Sequence, residues 1–126
     1  IIGIFHAYVV RSGNTLAQEC IEFLWVRWLG KDPTHKSGFK ARRLPRIGFV
    51  PEEDADAFGF LDPTDVLRAV HLIPAFAHDQ TTELLGPSIA RHLREEDMDW
   101  QYYYVNIFVD RDMLMCYLGG GIGHRG

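Results

Sequence analysis

The stretch Ile21-Glu22-Phe23-Leu24-Trp25-Val26-Arg27-Trp28-Leu29 decides the fold. Its alternate positions give two faces, Ile21/Phe23/Trp25 and Leu24/Val26/Trp28, and both are largely apolar. A strand with one side in water alternates apolar with polar residues. Apolar residues on both sides predict an inner strand, covered above and below. On that reading Trp25 and Trp28 are both largely buried. Residues 1–10 form a second β-branched and aromatic run, and Ser12-Gly13-Asn14-Thr15 ends it with turn chemistry. The two runs predict a hairpin with a longish connection, broken at its far end by Gly30-Lys31-Asp32-Pro33.

Outward from this hairpin the signals are shorter. Residues 44–50 read as a strand whose start Pro45 demotes to an edge, and Phe58-Gly59-Phe60 reads as another short edge. Asp62-Pro63-Thr64-Asp65 starts a helical turn: Asp62 caps, Pro63 takes the first helical position, and Asp65 faces the helix N-terminus. A strand over 70–73 follows, stopped by Pro74. Ser88 is placed to cap a short helix reaching Leu93, and residues 100–108 look extended and aromatic. Asp110 caps a terminal helix, Val109 and Leu114 form a hydrophobic staple, and Gly119 stops the helix. The fold class is therefore a β-rich α+β domain. It reads as a small SH3-like, bromo-adjacent-homology-like barrel with one or two C-terminal helices.

Length and composition agree. At 126 residues, 47% hydrophobic and 24% charged, the chain has the size and make-up of one globular domain. We read residues 1–118 as that domain and 119–126 as a Gly-rich tail or linker. A strand that begins at the first residue suggests a fragment of a longer chain. No basic segment precedes the apolar opening, so it does not read as a signal peptide. Residues 1–10 are too few to span a bilayer. Two cysteines, Cys20 and Cys116, are too few for a disulfide framework and read as small core residues in a reducing, intracellular compartment.

Several features resemble chemistry and have plainer readings. Gly121-Ile122-Gly123-His124-Arg125-Gly126 matches GxGxxG, but that motif needs a strand before it and a helix after it so that a phosphate meets the helix N-terminus. Here a helix precedes it, so no dinucleotide cofactor is expected. His71, His78 and His124, with His6 and Cys116, lack short metal-ligand spacing. Neither cysteine carries a nucleophile signature, and no Ser sits in a G-x-S-x-G elbow. Glu52-Glu53-Asp54 and Glu95-Glu96-Asp97 read as solvated loops.

Charge layout is more informative. The chain carries −4 overall, yet residues 27–47 hold Arg27, Lys31, Lys36, Lys40, Arg42, Arg43 and Arg46 against Asp32 alone, a local net of +6. Residues 51–65 hold Glu52, Glu53, Asp54, Asp56, Asp62 and Asp65, a local net of −6. An acidic protein that gathers its cations in one segment offers a candidate phosphate-contacting surface. Gly38 and Phe39 add flexibility and a stacking group. The competing reading is that the two segments neutralise each other.

Longer strings carry a resemblance. They are Phe23-Leu24-Trp25-Val26-Arg27-Trp28, Phe58-Gly59-Phe60-Leu61-Asp62-Pro63, His71-Leu72-Ile73-Pro74-Ala75-Phe76, Tyr103-Tyr104-Val105-Asn106-Ile107-Phe108-Val109-Asp110-Arg111-Asp112-Met113, and the closing Gly119-Gly120-Gly121-Ile122-Gly123-His124. Together they resemble the C-terminal region of uncharacterised mushroom-type fungal proteins associated with Kyakuja-Dileera-Zisupton and Plavaka transposable elements. The family pattern carries Asn near Tyr8 and Arg at the position of Cys116, so this chain departs there. The resemblance implies a mobile-element context and the nucleus, and it supplies no active site.

The sequence thus leads to a non-catalytic interaction module of a transposon-associated protein, contacting DNA or chromatin through the seven cations named above. The expected partners are nucleic acid and other domains of the same longer chain, with no membrane and no small-molecule cofactor. The alternative is a structural module bracing a neighbouring domain. A third reading is metal-assisted hydrolysis around His71 and His78.

Overall fold

The computed structural model describes residues 1–10, 12–13 and 17–119. The strands are β1 (Gly3–Val10), β2 (Gln18–Arg27), β3 (Leu29–Lys31), β4 (Arg46–Phe49), β5 (Phe58–Leu61), β6 (Leu72–Pro74), β7 (Gln80–Thr81), β8 (Asp99–Trp100) and β9 (Tyr103–Val105). A 3-10 turn spans Pro63–Asp65, and the helix α1 spans Arg111–Tyr117. The strands form three sheets, ordered β1-β2-β5, β3-β4-β9-β6 and β7-β8, and none closes on itself. The β-rich α+β class therefore holds. The described residues gather into two compact units: Ile1–Leu29 with Phe49–Leu67 and Thr82–Asp99, and Gly30–Gly48 with Arg68–Thr81 and the residues from Trp100 on.

In the first unit the expected hairpin forms, and β2 is the central strand. It pairs antiparallel with β1 (Phe5 opposite Phe23, Ala7 opposite Ile21) and with β5 (Trp25 opposite Phe60). This register aligns Phe5, Phe23, Trp25 and Phe60 on one face, with ring centroids 5.7 Å apart for Phe5–Phe23, 5.5 Å for Phe23–Phe60 and 4.7 Å for Trp25–Phe60. Central position does not bring full cover, however. The residues Gln18, Glu19, Cys20, Ile21 and Glu22 are exposed, Trp25 is half-buried, and Trp28 is 38% exposed. The expectation of two buried indoles is corrected: on β2 the face of Leu24 and Val26 is buried, whereas the face of Phe23 and Trp25 is only half-covered, and Trp28 lies past the end of the strand. Trp28 follows the end of β2 and lies over Gly59, where an added Cβ would come within 2.8 Å of the indole Nε1. Cys20 is exposed and Cys116 half-buried, both free, so neither is the core residue expected.

Burial in this unit concentrates on Leu24, Val26 and Ala57, with Arg27 and Asp99 buried among them. Asp62 caps the 3-10 turn by accepting the Thr64 N–H at 2.9 Å, as its position before Pro63 predicts. The helix expected over 88–93 does not form. Ser88 Oγ accepts the Ala90 N–H at 3.1 Å, but only turns follow. Ile89 and Leu93 are almost wholly exposed, so no apolar face stabilises a helix there. One α-helix, α1, occurs among the described residues.

In the second unit β9 is central, pairing with β4 (Arg46 opposite Tyr104) and β6 (Ile73 opposite Tyr104). Pro45 is buried just before β4, and its carbonyl accepts the Val105 N–H at 2.9 Å, a role that needs no N–H of its own. The core of the unit includes Ala75, Ile107 and Met113. Asp110 caps α1 by accepting the Met113 N–H at 2.7 Å, and Gly119 leaves the helix at φ +84. Arg68 grips the same carboxylate through Nη1 at 3.0 Å and Nη2 at 2.7 Å. Beyond Gly119 the expected tail, with its GxGxxG string, lies outside the described residues. Among the described residues no helix is long and apolar enough to cross a membrane.

Candidate nucleic-acid interface

The basic segment is shaped by a small turn. Gly38 and Arg43 form an antiparallel bridge, with the Gly38 N–H donating to the Arg43 carbonyl at 2.9 Å. The Arg42 N–H returns to the Phe39 carbonyl at 3.2 Å, which leaves Lys40 and Ala41 at the tip. Gly38 sits at φ +104, where an L side chain is strained, and Arg42 takes the left-handed region at φ +51. The turn brings Arg42 and Arg43 onto the wall of a cavity of about 450 Å³, lined also by Phe39, Leu44, Ile107 and Phe108. Ile107 is 3% exposed and forms the floor, whereas Phe39 and Phe108 are 56% and 60% exposed at the rim. Phe39 meets both Phe108 and Tyr117 at centroid distances of 6.3 Å, edge to face.

A second cavity of about 350 Å³ shares Arg43 and Leu44 and is completed by His35, Arg46 and Tyr104. His35 Nε2 lies 3.0 Å from the Leu44 carbonyl, and its ring sits 5.7 Å from that of Tyr104. The phenol and imidazole rings thus stand beside Arg43 as Phe39 and Phe108 do on the first cavity.

The seven cations separate into two groups. Lys31, Lys36, Lys40, Arg42 and Arg43 are exposed and have no carboxylate partner among the described residues. Arg27 is 7% exposed and spends its guanidinium on the backbone carbonyls of Trp28, Val50, Ala57 and Leu84 at 2.5–3.3 Å. The rings of Phe49 and Phe58 flank it at 5.1 and 5.0 Å. It is a core group and presents nothing to a ligand. Arg46 is held by Asp32 (Nε at 2.8 Å, Nη2 at 2.7 Å), touches His78 Nε2 at 3.1 Å and stacks over Tyr102 at 4.7 Å. Charge counting cannot separate these two from the rest, because neutralisation depends on residues distant in sequence.

His78 is therefore engaged with Arg46 and with Tyr102, whose ring is 4.9 Å away. Among the described residues no group of three His, Cys, Asp or Glu is placed to hold a metal ion, and His124 lies outside them. Sequence reasoning found Phe39 but missed Ile107, Phe108, Tyr117, His35 and Tyr104. The aromatic character of 100–108 was the available signal, and the β4–β9 pairing is what brings that segment beside the basic turn.

Two carboxylates supply a pH signature. Asp32 is held at about 2, first by the Thr34 hydroxyl, then by the Thr34 N–H and Arg46. Asp110 is held at about 2, first by Arg68 and then by the Met113 N–H. Depressed folded-state values mean that both contributions are present above the ordinary carboxylate value and are lost as pH falls through about 2. Carboxyl NMR titration should show both groups ionised at pH values where exposed aspartates have already protonated. Ordinary midpoints at both would remove these anchors.

No protein-family model, curated protein or solved structure matches this chain. The reading of function therefore rests on the geometry of this surface and on the resemblance carried by the strings quoted above.

Proposed function

We propose that this chain is a non-catalytic interaction module of a transposon-associated protein, contacting nucleic acid or chromatin in the nucleus through its basic turn. The contacting residues are Lys31, Lys36, Lys40, Arg42 and Arg43; Arg27 and Arg46 are withdrawn from the set because internal partners hold them. The carrying observation is that Arg42 and Arg43, free of carboxylates among the described residues, line an aromatic-rimmed cavity. Unneutralised guanidinium groups raise the local anion concentration even on a protein of net negative charge. The SH3-like or bromo-adjacent-homology-like barrel belongs to the same proposal, supported by short strands and a capped 3-10 turn at Pro63–Asp65.

Binding should be weak and steep in salt. Each phosphate contact adds about 0.9 to the logarithmic salt slope on duplex DNA, so four contacts give a slope of roughly −3 to −4. The double substitution Arg42→Glu, Arg43→Glu should abolish retention of nucleic acid and leave the melting temperature nearly unchanged, since exposed charges contribute little stability. Fluorescence anisotropy against salt measures the first effect and circular dichroism the second. No binding of DNA or RNA by the unaltered chain at low salt would end this reading.

A specific observation favours the second reading, a structural module bracing a neighbouring domain. The first unit leaves Phe5 and Phe60 50% and 70% exposed on the aromatic face of its sheet, beside the half-buried Phe23 and Trp25, an open apolar surface. If the anisotropy experiment fails, that face becomes the working surface.

A further inference from the structure

We infer that the nucleic acid taken by this surface is single-stranded, with an unstacked base in the Phe39–Phe108 cavity and the adjoining phosphates on Arg42 and Arg43. This rests on the nucleic-acid reading above and narrows it to one substrate class. The wall combines two chemistries that a duplex cannot use together. Its cations match phosphates, which single and double strands share. Its apolar floor and aromatic rim match the π-faces of bases, which a duplex keeps stacked and a single strand exposes.

The dimensions fit. The cavity of about 450 Å³, lined by the buried Ile107 and the exposed Phe39 and Phe108 beside Arg42 and Arg43, has volume enough for one planar heterocycle. Phe39 touches its aromatic neighbours only edge to face and stays 56% exposed, so ring surface remains for stacking. The second cavity repeats the arrangement with Tyr104 and His35, and Arg43 lines both. Arg43 therefore stands where the phosphate linking two successive nucleotides would pass. The commonest duplex readers present a basic helix to the major groove, and the one helix among the described residues does not offer that. The α1 helix is seven residues long, and its Arg111 is followed by Asp112.

The chemistry is common to DNA and RNA, and the probes separate them. Oligo-dT, oligo-rU and a mixed-sequence duplex of equal length are titrated into the protein at low salt and followed by anisotropy. We expect one or both single strands to bind about tenfold tighter than the duplex, in keeping with the stacking contribution of one base. The stronger of the two identifies the sugar. Phe39→Ala with Phe108→Ala should remove most of that preference, bringing single-strand affinity down toward the duplex value. Both side chains are exposed, so the fold should survive. The Phe39→Trp variant should retain binding and report it by indole quenching with a single strand and not with the duplex. Equal affinity for all three probes, unaffected by Phe39→Ala and Phe108→Ala, overturns the single-strand assignment and leaves the nucleic-acid reading intact. Failure to bind any probe overturns the nucleic-acid reading itself.

Discussion

Replacing Arg27 by Ala is expected to cost this protein on the order of 4 kcal/mol. The guanidinium donates to the carbonyls of Trp28, Val50, Ala57 and Leu84, which come from three separate stretches of the first unit. Removing it leaves several of these acceptors short of a donor, each at about 1–3 kcal/mol if water does not reach it. The two flanking rings, Phe49 and Phe58, lose their shared contact as well. Burial pulls the Arg27 guanidinium below its ordinary value. An arginine nevertheless remains charged at any working pH, so its donors are always available. Arg27→Lys should recover only part of the loss, because an ammonium has three donors on a compact head and cannot span the same acceptors. Urea unfolding of both variants decides it. A cost below about 1 kcal/mol for Arg27→Ala would show that water satisfies the carbonyls and that Arg27 is not the anchor.

The second large effect is expected at Asp99. Its carboxylate is 5% exposed and accepts both Nη atoms of Arg91, at 2.9 and 2.5 Å, together with the Leu85 N–H at 3.2 Å. Arg91 also donates through Nε to the Gly86 carbonyl at 2.7 Å, so the pair ties the otherwise irregular 82–99 segment together. Asp99→Ala leaves a buried guanidinium without its main partner and should cost about 3–5 kcal/mol. Glu95 and Asp97, at 3.7 and 3.6 Å, are half-exposed and soften this only slightly. The double variant Arg91→Ala, Asp99→Ala should be no worse than Asp99→Ala alone, because the orphaned charge is then gone. Strict additivity of the two single costs would refute the coupling. Neither substitution touches the basic turn, so residual folded protein should bind nucleic acid normally.

The same basic residue type thus plays opposite parts in this chain. By count, Arg27, Arg42, Arg43 and Arg46 were equivalent members of one cationic segment. In three dimensions Arg27 is a core fastener, Arg46 is neutralised by Asp32, and Arg42 with Arg43 faces an open cavity. The site was half legible: Phe39 and the basic turn were visible as neighbours in sequence, while Ile107, Phe108 and Tyr117 were not.

What the sequence by itself determined is everything decided within a few residues of chain. Asp62 before Pro63 and Asp110 before Arg111 cap their turns, and Gly119 ends α1. The apolar runs become the paired strands β1 and β2, and the class is β-rich. These outcomes depend on local φ/ψ preference, on caps and on strand propensity, which neighbouring residues set among themselves. Only the tertiary structure decided which faces are covered and which charges are free. Two apolar faces on β2 predicted burial on both sides, yet cover requires a second layer, and none lies over Phe5, Phe23, Trp25 and Phe60 among the described residues. Likewise a guanidinium meets carbonyls, a carboxylate or open solvent according to which distant segments pack beside it. That is a property of strand order and register, and no local pattern encodes it.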